Sequence, residues 1–350
     1  MSASYSEFMQ ASPVTRFPSG IQYARKINSL DKVFKAEKPD DSAERMERLK
    51  DMLRESKTGR QTLEFLEEKG AKLIFEPMDY YGYFSPDKNI VALNPAFSDE
   101  DCAVTFVHEV RHAWQDTQMS KNGLESTTTP VMTPKSFFVS GYFIEADACA
   151  AEVTYAHEMR ETNPKIWEAH QKSGYAPMST AFEKKFKETG SVEEARQEAL
   201  LTWYGLKVQQ NYEKTYVDYI GQGAGALKQQ RKLEPVYFSE DRSTKLMLDL
   251  MGKDYDGKPF ITDPKLLEGP DNLYVSERGA KQMSRALAGY MVKYNRSSSD
   301  LGLDKISVHY ADGSKGTCKD IAVDTKLGGH TKNRDQKQAI YATLAQNRQR

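Results

Sequence analysis

Cysteine is scarce and odd in number: Cys102, Cys149 and Cys318 are the only three in 350 residues. So sparse a set does not make the framework of a disulfide-stapled secreted domain, and reduced thiols in a cytoplasmic protein are expected. Nowhere do eighteen apolar residues follow one another, so no membrane-spanning helix is expected. The opening "MSASYSEFMQASPVTRF" lacks a basic flank leading into an apolar run, and no secretory signal is expected there. Charge of one sign is also missing. Lys and Arg number 49 against 50 Asp and Glu, for a net charge of -1. No global pull toward nucleic acid or anionic lipid follows, and binding of either would need a local patch. Histidine is the last scarcity, at six residues, yet two of the six stand four apart.

What is present is enough for a core. A hydrophobic content of 39% in 350 residues suits one large domain or two ordinary ones, while 28% charged residues predict solvated helices or tails around it. Residues 1–40, rich in Ser, Pro and Lys without a period, predict a loosely packed arm. Structure is expected to begin at "DDSAERMERLKDMLRES", with Asp41 capping and Glu44 completing a capping box. A second helix, "TGRQTLEFLEEKG", ends at Gly70. Then the period changes: "AKLIFE", "YYGYF" and "NIVALN" predict three short strands, the last two joined by a turn at "SPDK". Ser98 is placed to cap the next helix. A polar loop over residues 119–134 and a long alanine-rich helix from Lys135 to Arg160 follow, the latter stopped at Asn163 and Pro164. Residues 163–295 read as mainly helical, with a capping box at Ser191 and Glu194 and a break at "GQGAG". Residues 296–350 read as a polar tail with a short helix.

The helix capped by Ser98 contains "VTFVHEVRHAWQD". Residues four apart lie on one face of a helix, so His108 and His112 can aim both imidazoles at one point, which supplies the first two ligands of a tetrahedral zinc site. Glu109 is displaced around the helix and can approach a water on the metal without ligating it, as a general base requires. Ala103, Val107, Val110 and Trp114 form a buried stripe, and the histidines flank it, facing a cleft. An ordinary surface helix carrying two histidines has the same pattern.

A carboxylate could complete the site. The segment "IEADACAAE" offers Glu145, Asp147 and Glu152; on a helix Glu145, Cys149 and Glu152 share one face while Asp147 points elsewhere. Carboxylates on a shared face of an apolar helix must meet a cation, a histidine or solvent. Two histidines and a carboxylate leave a position open for water, which distinguishes catalytic zinc from closed structural sites.

Together "NIVALNP", "HEVRHAWQ" and "EADACAAE" resemble the small gluzincin type of zincin metallopeptidase, and the helix-strand-helix order is similar to that of ImmA/IrrE-type regulatory proteases. The resemblance covers residues 45–160. It implies an α+β fold, with a zincin-like core over residues 41–162, built on a small antiparallel or mixed sheet and an HExxH active-site helix, followed by a mainly helical C-terminal region. It implies Zn2+ as cofactor, His108, His112 and Glu145 as ligands, Glu109 as the base that activates a zinc-bound water, and a protein or peptide substrate. Two departures stand out. Asp147 replaces the ImmA-type asparagine, and Cys149 stands where thermolysin-like gluzincins place an aspartate, which leaves Asp147 a weak candidate for supporting the histidines. By the same resemblance "NIVAL" is the edge strand that pairs with an extended substrate. Tyr155 and His157 lie near in sequence as oxyanion donors, though such residues usually pack or face solvent.

Other signals carry less. His157 and Glu158 lack a second imidazole and read as a surface helix pair. "GQGAGAL" has glycines but no following Gly-Lys-Ser/Thr and reads as a hinge. Tyr212, Tyr216, Tyr219 and Trp203 have the helical spacing of a core or subunit contact rather than of a base-stacking surface. The competing class is a non-catalytic interaction protein whose helical half docks a partner, with oligomeric state open.

Overall fold

Apolar strands beside a helix with no polar face require a sheet packed directly on that helix. A computed structural model describes residues 23–25, 41–124, 132–227, 238 and 243–321 of the chain. Two helices lead in, α1 (Ala43–Arg54) and α2 (Lys57–Lys69), and three of the strands follow: β2 (Lys72–Phe75), β3 (Gly82–Ser85) and β4 (Ile90–Leu93). The cap of α1 falls one residue beyond the expected position. Ser42, not Asp41, accepts from the Arg45 amide at 3.1 Å. Gly70 closes α2 with φ +64, as its αL role demands.

A fourth strand, β1 (Tyr23–Arg25), comes from the segment expected to be an arm, and the remainder of residues 1–40 lies outside the described residues. The sheet order is β1-β3-β4-β2, with β3 antiparallel to both β1 and β4, and β2 parallel to β4. This order corrects one expectation. "NIVAL" is β4, paired on both sides, so its backbone groups are committed to β2 and β3 and it cannot serve as a substrate-binding edge. At Gly82 the sheet approaches α3 (Asp99–Lys121) so closely that a Cβ would fall 2.7 Å from the Thr105 side chain and 2.7 Å from the Ala92 carbonyl. Arg45 ties α1 to the entry of α3, donating to Pro95 O, Phe97 O and Asp99 at 2.8, 2.5 and 2.7 Å.

Helix α4 (Pro134–Glu158) packs along α3. The expected loop before it is shorter, because α3 runs to Lys121. Both helices are buried on nearly every side, so the apolar stripe of α3 is buried as expected, while its histidines are buried as well instead of facing a cleft. Around them pack α5 (Pro164–Gln171), α6 (Ala176–Thr189), α7 (Val192–Trp203) and α8 (Lys207–Leu227). Ser191 caps α7 as expected. The break falls at residues 204–206 instead of "GQGAG", and α8 runs through Gly221, Gly223 and Gly225. There α8 packs along α11 (Glu277–Lys293), and a Cβ at Gly221 would make only an ordinary contact with Ala286, at 3.9 Å.

Past α8 come α9 (Thr244–Met251), the short α10 (Lys265–Glu268) and a second sheet. Strands β5 (Tyr274–Ser276), β6 (Ser307–His309) and β7 (Lys315–Thr317) pair in that order, β5 parallel to β6 and β6 antiparallel to β7. Residues expected to form a polar tail therefore contribute strands, and Leu301, Leu303, Ile306 and Val308 are buried in the common core. The short C-terminal helix expected beyond them lies outside the described residues. No helix among the described residues is long and apolar enough to cross a membrane.

One of the weaker signals holds in this setting and another changes. The tyrosines and tryptophan of α7 and α8 are core: Trp203, Tyr212 and Tyr216 are buried and contact one another. His157, expected on the surface, is buried among Trp167, Phe182 and Phe186, and Glu158 accepts from the Thr58 amide and hydroxyl at 2.7 and 2.9 Å. Burial first, and then the Arg160 guanidinium, hold the His157 pKa down to about 4, with Glu183 opposing and Lys187 assisting. A neutral imidazole in the folded state, against an ordinary value of about 6.5 when unfolded, stabilises the fold above pH 6.5 and loses that contribution as pH falls toward 4. The melting temperature of the wild type is expected to fall more steeply between pH 6.5 and 4 than that of His157→Phe, and parallel curves would contradict this.

Candidate metal centre

Both histidines of "HEVRH" project from the middle of α3, where the helix has no exposed side. His108, Glu109 and His112 are fully buried, and Glu145 on α4 is nearly so. The four-residue spacing stacks the imidazoles with ring centroids 4.6 Å apart and their planes near perpendicular. Their Nε2 atoms face each other at 2.9 Å, and Oε2 of Glu145 lies 3.8 Å from each. The donor atoms of His108, His112 and Glu145 all lie within 4.8 Å of one another.

The outer nitrogen of each ring is already engaged. Nδ1 of His112 lies 2.8 Å from Oε1 of Gln115, one turn along α3. The Gln115 amide nitrogen donates to the Ile144 carbonyl at 3.0 Å and to Asp147 at 2.8 Å, which fixes the amide orientation and makes Oε1 an acceptor. His112 therefore carries its proton on Nδ1. Nδ1 of His108 lies 2.5 Å from the Glu152 carboxylate, an ion-pair distance that turns this nitrogen outward as well. Both Nε2 atoms then face one another, an arrangement that needs a proton or a metal cation between them.

The electrostatics of the pair agree. Burial disfavours a charged His108, but the Glu152 carboxylate, helped by Glu109 and Glu145, outweighs it and raises the pKa. Burial and then the neighbouring His108 hold His112 well below its ordinary value. The pair is thus enclosed by three carboxylates, Glu109, Glu145 and Glu152. Three carboxylates with no exposed face are costly to bury without a cation to meet them.

The supporting groups are the part that sequence reasoning missed or undervalued. Glu152 was recognisable as a carboxylate sharing the Glu145 face, seven residues on, but its partner proves to be His108. Its other oxygen lies 3.6 Å from Nε2 of His170 on α5, whose Nδ1 meets the Ser179 hydroxyl at 2.7 Å. Gln115 sits three residues beyond His112, a spacing that could have marked it. Asp147 does point away from Glu145, yet reaches His112 through Gln115. It also accepts from Arg111 Nε and from Arg196 of α7, each at 2.7 Å. Tyr212 of α8 hydrogen-bonds Glu145, and burial, followed by that carboxylate, pushes its pKa well above the ordinary phenol value.

Several expected neighbours lie elsewhere. Tyr155 is buried, its pKa raised first by burial and then by the Glu55 and Glu158 carboxylates, and His157 sits in the aromatic cluster described above. Cys102 lies against Arg45 and the Asn94 carbonyl, its thiol pushed up to about 12 chiefly by burial. Cys149 does approach the centre, with its sulfur within 4.8 Å of donor atoms on His108 and Glu152. All three cysteines are buried free thiols.

A family model described as "Putative metallopeptidase family (DUF6782)" matches residues 24–240. No curated protein and no solved structure matches the chain.

Proposed function

The chain belongs to the Putative metallopeptidase family (DUF6782), and from that premise we propose that it is a zinc-dependent metallopeptidase of the zincin type that hydrolyses protein or peptide substrates. The observation that carries this is the imidazole pair. Each Nδ1 atom faces an acceptor outside the pair, on Gln115 and on Glu152, while both Nε2 atoms and a Glu145 oxygen converge on one buried point. Two neutral imidazoles and one carboxylate are the donor set of a catalytic zinc site, and the residues present fit that ion. His108, His112 and Glu145 would hold it.

When bound, zinc supplies Lewis acidity toward a substrate carbonyl and toward water. The remaining work falls to the chain's own residues. Glu109, buried beside His108, accepts the proton of the attacking water and later returns it to the leaving amine. Glu152 fixes the His108 ring, and Gln115, itself held by Asp147, fixes the His112 ring, so neither imidazole can present the wrong nitrogen. Tyr212 holds the Glu145 carboxylate through its hydroxyl. No covalent intermediate is required. The buried thiols suit a reducing compartment, and a cytoplasmic location is part of the proposal.

Digestion of a mixed peptide library, read by mass spectrometry, tests the activity. New termini are expected with the purified protein, to be lost on chelation and restored by adding zinc. Cleavage that persists after the metal has been stripped would remove metal dependence from the account.

A further inference from the structure

Buried charges collect on the far side of the centre, away from Glu152. Asp147 accepts from Gln115 and Arg111 through one oxygen and from Arg196 through the other. Arg196 spans from there to Asp254, and its guanidinium lies 4.2 Å from the centroid of the Phe260 ring. Arg111 donates to the Met251 and Lys253 carbonyls at 3.2 and 2.7 Å and stacks on Trp114 at 3.8 Å. Two arginines thus meet two aspartates, and all but Asp254 are essentially without solvent contact.

The partners come from four parts of the chain. Arg111 and Gln115 are on α3, Asp147 on α4, Arg196 on α7, and Asp254 with Phe260 on the segment after α9. That last segment lies beyond residues 24–240, the extent of the family match. A hydrogen-bonded path therefore runs from outside the matched region to a ring nitrogen of His112: Asp254, Arg196, Asp147, Gln115, His112. Every link but the last, from Gln115 to His112, joins a charged group to a fixed acceptor or donor, which gives the path both direction and strength. An Asp147 that loses Arg196 and keeps only Arg111 is drawn toward that remaining arginine and pulls on the Gln115 amide, which frees the His112 ring to turn.

We propose that Arg196 is a positioning residue of the metal centre, and that the segment 251–260 belongs to the centre's support through Asp254. The inference rests on the zinc reading above. Arg196 touches neither ligand nor substrate; it acts by holding Asp147 in the place from which Gln115 orients His112.

The test is zinc affinity by competition with a chromophoric chelator, together with the visible spectrum of the cobalt-substituted full-length protein. Asp254→Asn is expected to weaken zinc binding by about tenfold and to alter the cobalt bands. Arg196→Lys, which cannot span both aspartates as a planar fork does, is expected to do the same. Glu193→Gln serves as the control. It removes the ion pair between Glu193 and Lys258, loosening the same segment without touching Arg196, and should leave affinity and spectrum unchanged. The decisive comparison is a double-mutant cycle. In a Gln115→Leu background, Asp254→Asn should cost no further affinity, because the path is already cut. Wild-type affinity and spectrum in both Asp254→Asn and Arg196→Lys would overturn the proposal, as would full additivity with Gln115→Leu or an equal loss in Glu193→Gln. If the wild type binds neither zinc nor cobalt, the zinc reading itself fails, a result separable from all of these.

Discussion

Glu109→Gln retains zinc and loses hydrolysis. The substitution keeps the shape of a fully buried side chain and removes the only function proposed for it, that of proton acceptor. General-base catalysis contributes about a hundred- to ten-thousandfold, so kcat should fall by that factor, equivalent to about 3–5 kcal/mol of barrier. Metal content should remain that of the wild type, because Glu109 is not a ligand. Steady-state kinetics on a cleaved peptide, with zinc quantified on the same preparation, checks both halves. Activity surviving the substitution would remove Glu109 from the mechanism. Loss of zinc together with activity would make it a ligand instead.

The second large effect separates ligand from support. Glu145→Ala removes a donor that lies 3.8 Å from both Nε2 atoms. Glu152→Ala removes the group that holds Nδ1 of His108 at 2.5 Å. Loss of a carboxylate ligand should abolish stoichiometric zinc at micromolar concentrations, whereas loss of a supporting carboxylate typically costs about ten- to a hundredfold in affinity. Equilibrium zinc titrations should therefore rank Glu145→Ala well below Glu152→Ala. The reverse ranking would move the metal to the other nitrogen of His108, where Cys149 and Glu152 offer an alternative donor set. Both variants should still fold, since each relieves a buried negative charge.

Local signals in the sequence located the histidine helix and its surroundings well. Ser98 and Ser191 cap the helices they were expected to cap, and Gly70 ends α2, because these roles depend on a side chain and its own amides within three residues. The three strands "KLIF", "GYFS" and "IVAL" followed from apolar runs between turn residues. Their order in the sheet did not. Whether β4 is central or at an edge depends on β2 pairing with it in parallel past the intervening β3, which local patterning does not reveal.

Glycine was misjudged in a way that has a physical cause. A glycine inside a helix costs only about 1 kcal/mol relative to alanine, which close packing can offset. Along "GQGAG" α8 stays helical and packs against α11, while the break falls at residues 204–206, around Gly205. At the site itself, spacing showed that His108, His112 and a carboxylate from residues 145–152 could converge, because four-residue and seven-residue separations decide what shares a helix face. Which nitrogen of each ring faces inward was not legible. That is set by Gln115 and Glu152, and behind them by Arg196 and Asp254, whose places are fixed only when α4, α7 and the segment after α9 close around α3.

The central claim is that the facing imidazoles hold a metal ion, and the most direct measurement is metal content by elemental mass spectrometry on protein purified without a histidine tag, wild type beside His112→Ala. About one zinc per chain is expected in the wild type, as for a single site of this donor set, and essentially none in the variant. No metal in the wild type, even after zinc is added back and the excess removed, would leave the two Nε2 atoms bridged by a proton alone and would contradict the account.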